Sequence, residues 1–325
     1  MRAFVFEKGS FKVTELPNPQ ADTLEAVVAI KAAGLNRRDL YTPGRLGNDS
    51  EALILGSDAA GVIEAIGEGV TDWQVGDEVI INPSLGWYEN SDIPPADFDI
   101  LSFPDNGTFA EKIAISVEQL ERKPSHLSFE EASVMGISPL TGYRALFTKG
   151  QIEAGQTIFI PGAGSGVATF LIQMAKNVGA RVIVSSRSEE KRNAALEIGA
   201  DIAIDTHADW VELLKKEQID VVIESVGRAT FNRSLDVLKK GGKIVLFGAT
   251  TEDVVDFDLR KFFYGQYTLY GTTMGSREEF RACLEHLAKF NTHPVMDRTF
   301  SLDEAEQALE YLKENHQFGK ITITI

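Results

Sequence analysis

Two patterns of apolar and polar positions divide the chain. Up to about residue 124, short segments alternate at period two: MRAFVFE, FKVTEL and AVVAIKAAGL, with GVIEAIGEG and VGDEVIINP strand-like between glycine turns. From Thr157 the alternation gives way to short, continuous apolar runs: TIFIP, RVIVSS, DIAID, DVVIES, KIVLFG and YTLYGT. Helical patterns separate these runs, starting near Val167, Ser188, Asp209, Thr230 and Leu259. Apolar strands joined by helical crossovers predict a doubly wound parallel sheet of six strands, covered on both faces. A helix over Arg277–Phe290 follows, then SLDEAEQALEYL with Ser301 and Glu304 as a capping box, then KITITI. This last strand alternates, unlike the six before it, and so is expected to pair back with the N-terminal β-rich region. The fold class is α/β, a β-rich domain plus the parallel sheet. One stretch fits neither pattern: Pro83–Phe109 is long, irregular and aromatic, which marks either a functional loop or a packed lobe.

Length and composition narrow the functional classes. A chain of 325 residues suits two domains, and 43% hydrophobic with 25% charged residues is the composition of a folded protein. The balance of 32 Lys+Arg against 48 Asp+Glu gives a net charge of −16. Nucleic acid and anionic membrane are therefore not expected as main partners, since both need a basic face. The uncharged run from Thr157 to Ala175 has the length of a membrane span, but its Pro-Gly-Ala-Gly-Ser-Gly cluster would break such a helix. No signal peptide is read at the N-terminus, and a cytoplasmic location is expected. The one cysteine, Cys283, excludes an internal disulfide and a four-cysteine zinc module, and the five histidines are scattered. Cys283 is expected to pack in the core of its helix.

The first apolar run leads straight into Gly162-Ala163-Gly164-Ser165-Gly166-Val167 and then a helix. Glycines here let backbone N–H groups approach a pyrophosphate at the helix N-terminus. Val167 stands where the third glycine of G-x-G-x-x-G would be, so the loop is weak evidence alone, and its place after the first of six strands supplies the context. At the tip of the second strand an acid would grip a ribose 2′-hydroxyl. The chain instead reads SSRSEEKR, where Ser185, Ser186, Arg187 and Lys191 suit a 2′-phosphate. NADPH is the expected cofactor, although Ser188 as a helix cap also explains part of this sequence. Ser225 and Val226, then Phe247, Gly248 and Ala249, then Thr272 and Thr273 follow the later strands. These positions line the carboxyl edge where open α/β sheets bind ligands, and simple tight turns are the alternative reading.

Taken together, AAGLNRRDLY, ILGSDAAGVIEAIGEGV, VGDEVI, GTFAEKIAI, LTGYRAL, PGAGSGVA and VLKKGGKIVLFGATT make the chain resemble the medium-chain dehydrogenase/reductase superfamily over its full length. The resemblance implies a GroES-like β-rich catalytic domain at 1–124 and 273–325, and a Rossmann domain at 125–272, with the cofactor in the cleft between them. It also implies a homodimer, often formed through the edge strand of the Rossmann sheet, here YTLYGTT. Zinc alcohol dehydrogenases are similar but carry a cysteine at the position of Asn36, a histidine at that of Ser57 and a third ligand near Ile137. Their structural zinc lobe, normally with four cysteines, corresponds to the cysteine-free Pro83–Phe109 loop. Asn, Ser and Ile do not assemble a zinc site, so no metal is expected, and the chain is grouped with zinc-independent, quinone-oxidoreductase-like members.

Without a Lewis acid, hydride transfer favours an acceptor that spreads charge onto a distal oxygen. The expected function is NADPH-dependent reduction of a quinone or α,β-unsaturated carbonyl compound, the partner being a small electrophile. The alternatives are an NADPH-binding sensor or structural protein with little turnover, and a zinc-free alcohol dehydrogenase. Asn36 is a candidate hydrogen-bond donor to the acceptor oxygen or the nicotinamide, or else a turn-stabilising side chain. Tyr41 is a candidate proton donor or a packing residue. Thr141 resembles the family's nicotinamide-proximal threonine, or caps a helix start. Arg37 and Arg38 are expected to face solvent, and Trp87 and Tyr88 either line a substrate mouth or pack their lobe.

Overall fold

The computed structural model describes residues 1–46 and 52–325. The chain forms two compact units, 1–140 with 275–325, and 141–274.

In the first unit β1 (Arg2–Glu7), β2 (Ser10–Glu15) and β4 (Leu53–Ile54) make a small antiparallel sheet. A larger sheet runs in the order β10 (Leu120–Arg122), β6 (Glu78–Ile81), β5 (Asp58–Ile66), β3 (Glu25–Gly34), β18 (Lys320–Thr324), β17 (Met296–Ser301), with β9 (Lys112–Ser116) also on β3. Its core comprises the apolar face of β3 with Ile63, Val79, Ile81 and Phe109, closed by Leu309 and Leu312 from α9 (Ala305–Glu314). The final strand does return to this unit, antiparallel to β3 with Thr322 opposite Gly34. The Pro83–Phe109 stretch is a packed lobe. β7 (Ser84–Leu85) pairs with β8 (Asp99–Ile100), and Trp87 lies edge-on to Phe98, almost wholly buried.

In the second unit β11 (Thr157–Pro161), β12 (Arg181–Ser186), β13 (Ile202–Asp205), β14 (Ile219–Glu224), β15 (Leu238–Leu246) and β16 (Thr268–Gly271) form one parallel sheet, ordered β13-β12-β11-β14-β15-β16. The crossover helices are α3 (Gly166–Asn177), α4 (Glu189–Glu197), α5 (Trp210–Leu214), α6 (Phe231–Val237) and α7 (Leu259–Gly265). This is the doubly wound order, with its switch point between β11 and β14. The Thr157–Ala175 run divides into β11, a turn and α3, and among the described residues no helix is long and apolar enough to cross a membrane.

Two expectations need correction. The units meet in sequence at Leu140/Thr141 and Met274/Gly275, whereas the change of pattern suggested 124/125 and 272/273. The reason is packing: α1 (Phe129–Ala132) lies on β3, where a Cβ at Gly34 would come within 2.6 Å of the Ser133 carbonyl. The Ile137 amide also bonds Asp58 in the same unit. The second correction concerns the edge strands β13 and β16, which are only partly buried, because an edge has one neighbour and less cover than the four central strands.

Candidate active site

The second unit presents its strand ends as a run of turns. After β11, Gly162 holds φ +85°, a backbone state open to glycine at no steric cost. The amides of Gly162 and Ala163 donate to the Ser185 carbonyl at 3.0 and 2.9 Å, tying the turn to the tip of β12. Ser165 caps α3, its Oγ accepting from the Ala168 amide at 3.1 Å, so the first-turn N–H groups of a twelve-residue helix face the glycine turn. A Cβ on Gly164 would come within 2.7 Å of Lys191 Cδ and 3.3 Å of its Nζ. The lysine side chain therefore lies over the Gly164 backbone, where a Cβ would displace it. Ser185 is fully buried and its Oγ has no hydrogen-bond partner.

Ser188 does cap α4, accepting from the Lys191 amide at 3.2 Å, while Arg187 stands exposed beside it. Cap and basic strand tip thus coexist. Arg192, not singled out from the sequence, donates to the Ser186 carbonyl at 2.8 Å and braces this tip.

Beyond β14, Glu224 is buried and receives the Val226 amide at 2.8 Å, the Thr230 hydroxyl at 2.8 Å and the Ser234 hydroxyl at 2.9 Å. Burial raises its carboxyl pKa and these donors oppose the shift. Glu224 thereby shapes the Ser225-Val226-Gly227 turn. The Phe247 amide donates to the Glu224 carbonyl at 3.2 Å, the Thr250 amide to that of Ser225 at 3.1 Å, and the Thr272 amide to that of Leu246 at 2.8 Å. Gly248 and Ala249 lie between the first two of these ties, and Thr273 follows the third. The Thr272 hydroxyl is buried without a partner. A backbone cradle for a pyrophosphate, a hydroxyl- and cation-bearing strand tip and an orphaned Ser185 Oγ together fit a phosphorylated dinucleotide. Thr141 is the fifth residue of α2 (Ile137–Tyr143), so it does not cap a helix start. Its hydroxyl lies 3.9 Å from the Met274 sulfur.

The first unit assembles a buried polar cluster from residues far apart in sequence. Asn36 Nδ2 donates to Asp58 Oδ2 at 2.8 Å. The other Asp58 oxygen accepts the Ile137 amide at 2.9 Å, and a Cβ on Gly136 would come within 2.3 Å of it. Lys320, from β18, donates to Asn36 Oδ1 at 2.8 Å, to the Leu35 carbonyl at 2.7 Å and to Ser138 Oγ at 3.1 Å, with Asp58 Oδ2 at 3.9 Å. The positions of Asn36, Ser57 and Ile137 thus come together around Asp58. Hydrogen bonds and an ion pair fill the place, and among the described residues no three His, Cys, Asp or Glu side chains gather as metal ligands.

Burial sets the electrostatics of this cluster. It pushes the Asp58 carboxyl up and the Lys320 ammonium down, and the two charges oppose both shifts. Asp39 is wholly buried, with one oxygen taking the Asn36 amide at 2.7 Å and the other unpartnered. Desolvation pushes its pKa to about 7. Arg38 does not face solvent: its guanidinium donates to Ser57 Oγ and to the Leu101 carbonyl, and burial lowers its pKa. Tyr41 is 56% exposed, so the packing reading does not hold for it. Trp87 packs, its Nε1 donating to Ser91 Oγ at 2.9 Å, while Tyr88 is exposed. Cys283 is buried and its thiol pKa is raised by desolvation.

Sequence reasoning found Asn36 but missed Lys320 and Ser138. In the alternating strand KITITI, Lys320 and Thr322 occupy what reads as the solvent face, yet both are buried. No local signal marks this, because the groups that cover that face come from residues 35, 36, 58 and 138.

Comparisons with known proteins bear on this arrangement. The family profile described as an alcohol dehydrogenase GroES-like domain matches residues 22–125, and the one described as a zinc-binding dehydrogenase matches 166–289. A zinc-type alcohol dehydrogenase-like protein of Leptosphaeria maculans is 30% identical over 93% of this chain and 90% of its own. A crotonyl-CoA reductase of Streptomyces collinus is 29% identical over 97% of this chain and 81% of its own. A solved structure described as an NAD-dependent alcohol dehydrogenase superposes with a TM-score of 0.93 at 31% identity, each chain fully covered.

Proposed function

The chain belongs to the medium-chain dehydrogenase/reductase superfamily, and from that premise we propose that it reduces α,β-unsaturated carbonyl compounds with NADPH and without a catalytic zinc. The observation that carries this reading is the Asn36–Asp58–Lys320 cluster, which fills the place where zinc relatives hold their metal with hydrogen-bonding groups. Such groups stabilise an oxygen that shares its charge with a conjugated system better than a localised alkoxide. The crotonyl-CoA reductase relative supports an activated alkene as the acceptor, and quinones share the same electronic logic.

Gly162, Ala163, Gly164, Ser165, Gly166 and Val167 would hold the pyrophosphate, with Ser185, Ser186, Arg187 and Lys191 toward a 2′-phosphate. Bound there, NADPH would supply a hydride, which with one proton would turn the C=C bond into two C–H bonds and leave NADP⁺. Asn36 donates its second Nδ2–H to the carbonyl oxygen as negative charge builds there. A single such donor is worth about 2.7–4 kcal/mol. Tyr41, exposed at the end of the Arg37–Leu40 turn, would give the proton to the enolate and regain one from solvent.

The test is a panel of enones, enoyl thioesters, quinones, aldehydes and alcohols with NADPH and NADH, following loss of the dihydronicotinamide absorbance. NADPH-driven reduction of conjugated acceptors without added metal is expected. Tight NADPH binding with no oxidation across the panel would favour the sensor reading, and activity that a chelator abolishes would end the zinc-free one.

A homodimer belongs to the same proposal. β16 is an edge strand whose Leu269 is exposed, and Val254, Leu259, Phe263 and Tyr264 are exposed nearby in sequence. Light scattering is expected to give twice the 35.6 kDa chain mass, and a monomer at micromolar concentration overturns it.

A further inference from the structure

We infer that Lys320 is a positioning residue for the reduction: through its ammonium it locks the Asn36 amide in one orientation and strengthens the N–H that Asn36 offers the acceptor. This rests on the reading of Asn36 as the donor to the acceptor oxygen.

The orientation is set from both ends of the amide. Its oxygen accepts from Lys320 Nζ at 2.8 Å and from Ser138 Oγ at 3.3 Å, while its nitrogen donates to the Asp58 carboxylate at 2.8 Å. A flipped amide would set N–H groups against the ammonium and an oxygen against the carboxylate, a repulsive contact at each end. Only the observed orientation satisfies both charges, and it leaves Nδ2 one further N–H.

The hydrogen-bond pattern suits the charged form of Lys320, with Asp58 Oδ2 as its counter-charge at 3.9 Å. Ser138 donates to Asn36, so its oxygen accepts from Lys320, and the Leu35 carbonyl and Asn36 Oδ1 can only accept. Three acceptors match the three N–H bonds of an ammonium, and a neutral amine has two. A cation on the amide oxygen draws electron density through the conjugated amide and makes the remaining N–H a better donor. The Asp58 carboxylate on the other Nδ2–H opposes that polarisation, so the fixed orientation of the amide is the larger part of the effect.

The experiment uses the full chain with NADPH and a series of enones graded in electron demand. The variants are Asn36→Ala, Lys320→Met, the pair Lys320→Met with Asp58→Asn, and the pair combined with Asn36→Ala. The paired variant removes both charges together, so it remains informative if Lys320→Met alone fails to fold. Asn36→Ala is expected to lower kcat about 100-fold. The paired variant is expected to lower it about 10-fold, more for the less activated enones, with the NADPH Kd unchanged. In the Asn36→Ala background the pair should cost nothing further, because its effect runs through the missing amide.

A folded paired variant at full kcat, or one whose loss persists undiminished in the Asn36→Ala background, overturns the inference about Lys320 and leaves Asn36 standing. Wild-type turnover that survives Asn36→Ala instead overturns the underlying reading of Asn36, and this inference with it.

Discussion

The glycine turn of the second unit and the polar cluster of the first are built by opposite means. The turn draws its parts from residues 162–167 and the tip of the next strand, and what it offers is backbone N–H, a missing Cβ and two cations. The cluster draws single side chains from positions 36, 58, 138 and 320, and nearly every polar atom in it already has a partner inside the protein. A site that waits for a ligand can be altered with little effect on folding. A site that satisfies itself is part of the core, and altering it should cost stability first.

Substitutions on the two sides test that contrast. The largest effect is expected from Asp58→Leu, which strands the Lys320 ammonium beside an unpaired Asn36 amide and Ile137 N–H. Removing one member of a buried pair costs about 3–5 kcal/mol, measurable by urea unfolding. Stability within 1 kcal/mol of wild type, on the order of a surface change, would mean that the cluster is not structural.

Arg187→Ala comes next and should act on binding alone. Loss of a charge-assisted contact worth about 1.5–3 kcal/mol would raise the NADPH KM by about 10–100-fold. The NADH KM and the unfolding midpoint should not move. Equal effects on both cofactors would remove Arg187 from 2′-phosphate recognition.

The smallest effect, about 1 kcal/mol, is expected from Ser165→Ala, because Ser165 caps α3 within the turn itself. It is the one place where the ligand-waiting region also holds structure. A change in NADPH affinity with no change in stability would show that the hydroxyl serves the ligand and not the helix.

The same contrast explains what could be read from the sequence. The parallel sheet was legible because each strand is a contiguous apolar run, and each crossover starts with a cap or a turn residue, such as Ser165, Ser188 or Asp209. The glycine turn was legible for the same reason, since its meaning is local. Asn36 was found only through a resemblance that aligned it with a metal ligand, and Lys320 was not found. Nothing within a few residues of Lys320 distinguishes it from a solvated lysine on an alternating strand. Its burial comes from groups that the rest of the chain brings over that face of β18: the Leu35 carbonyl, Asn36, Asp58 and Ser138. Arg38 was misjudged likewise, because its acceptors, Ser57 and Leu101, lie well beyond any local pattern. The domain boundary was placed early because the change of pattern marks where strands stop, whereas packing carries the first unit on through α1 to Leu140.

β18 also bears on the order of folding. Residues 141–274 form one continuous unit, whose neighbouring strands are mostly joined by a single crossover. The first unit is interrupted by that whole segment, and its strand β3 stays incomplete on one side until residues 320–324 arrive. Contacts across such a separation carry a loop-closure cost that local contacts escape, and they form late. Synthesis from the amino end deepens the delay, since Asn36 and Asp58 emerge long before Lys320. The inserted unit can therefore acquire its native form ahead of the unit that surrounds it in sequence. Until Lys320 docks, the Asp58 carboxylate lacks its counter-charge. A chain halted after residue 274 would then hold a formed nucleotide turn while the Asn36 amide was not yet fixed.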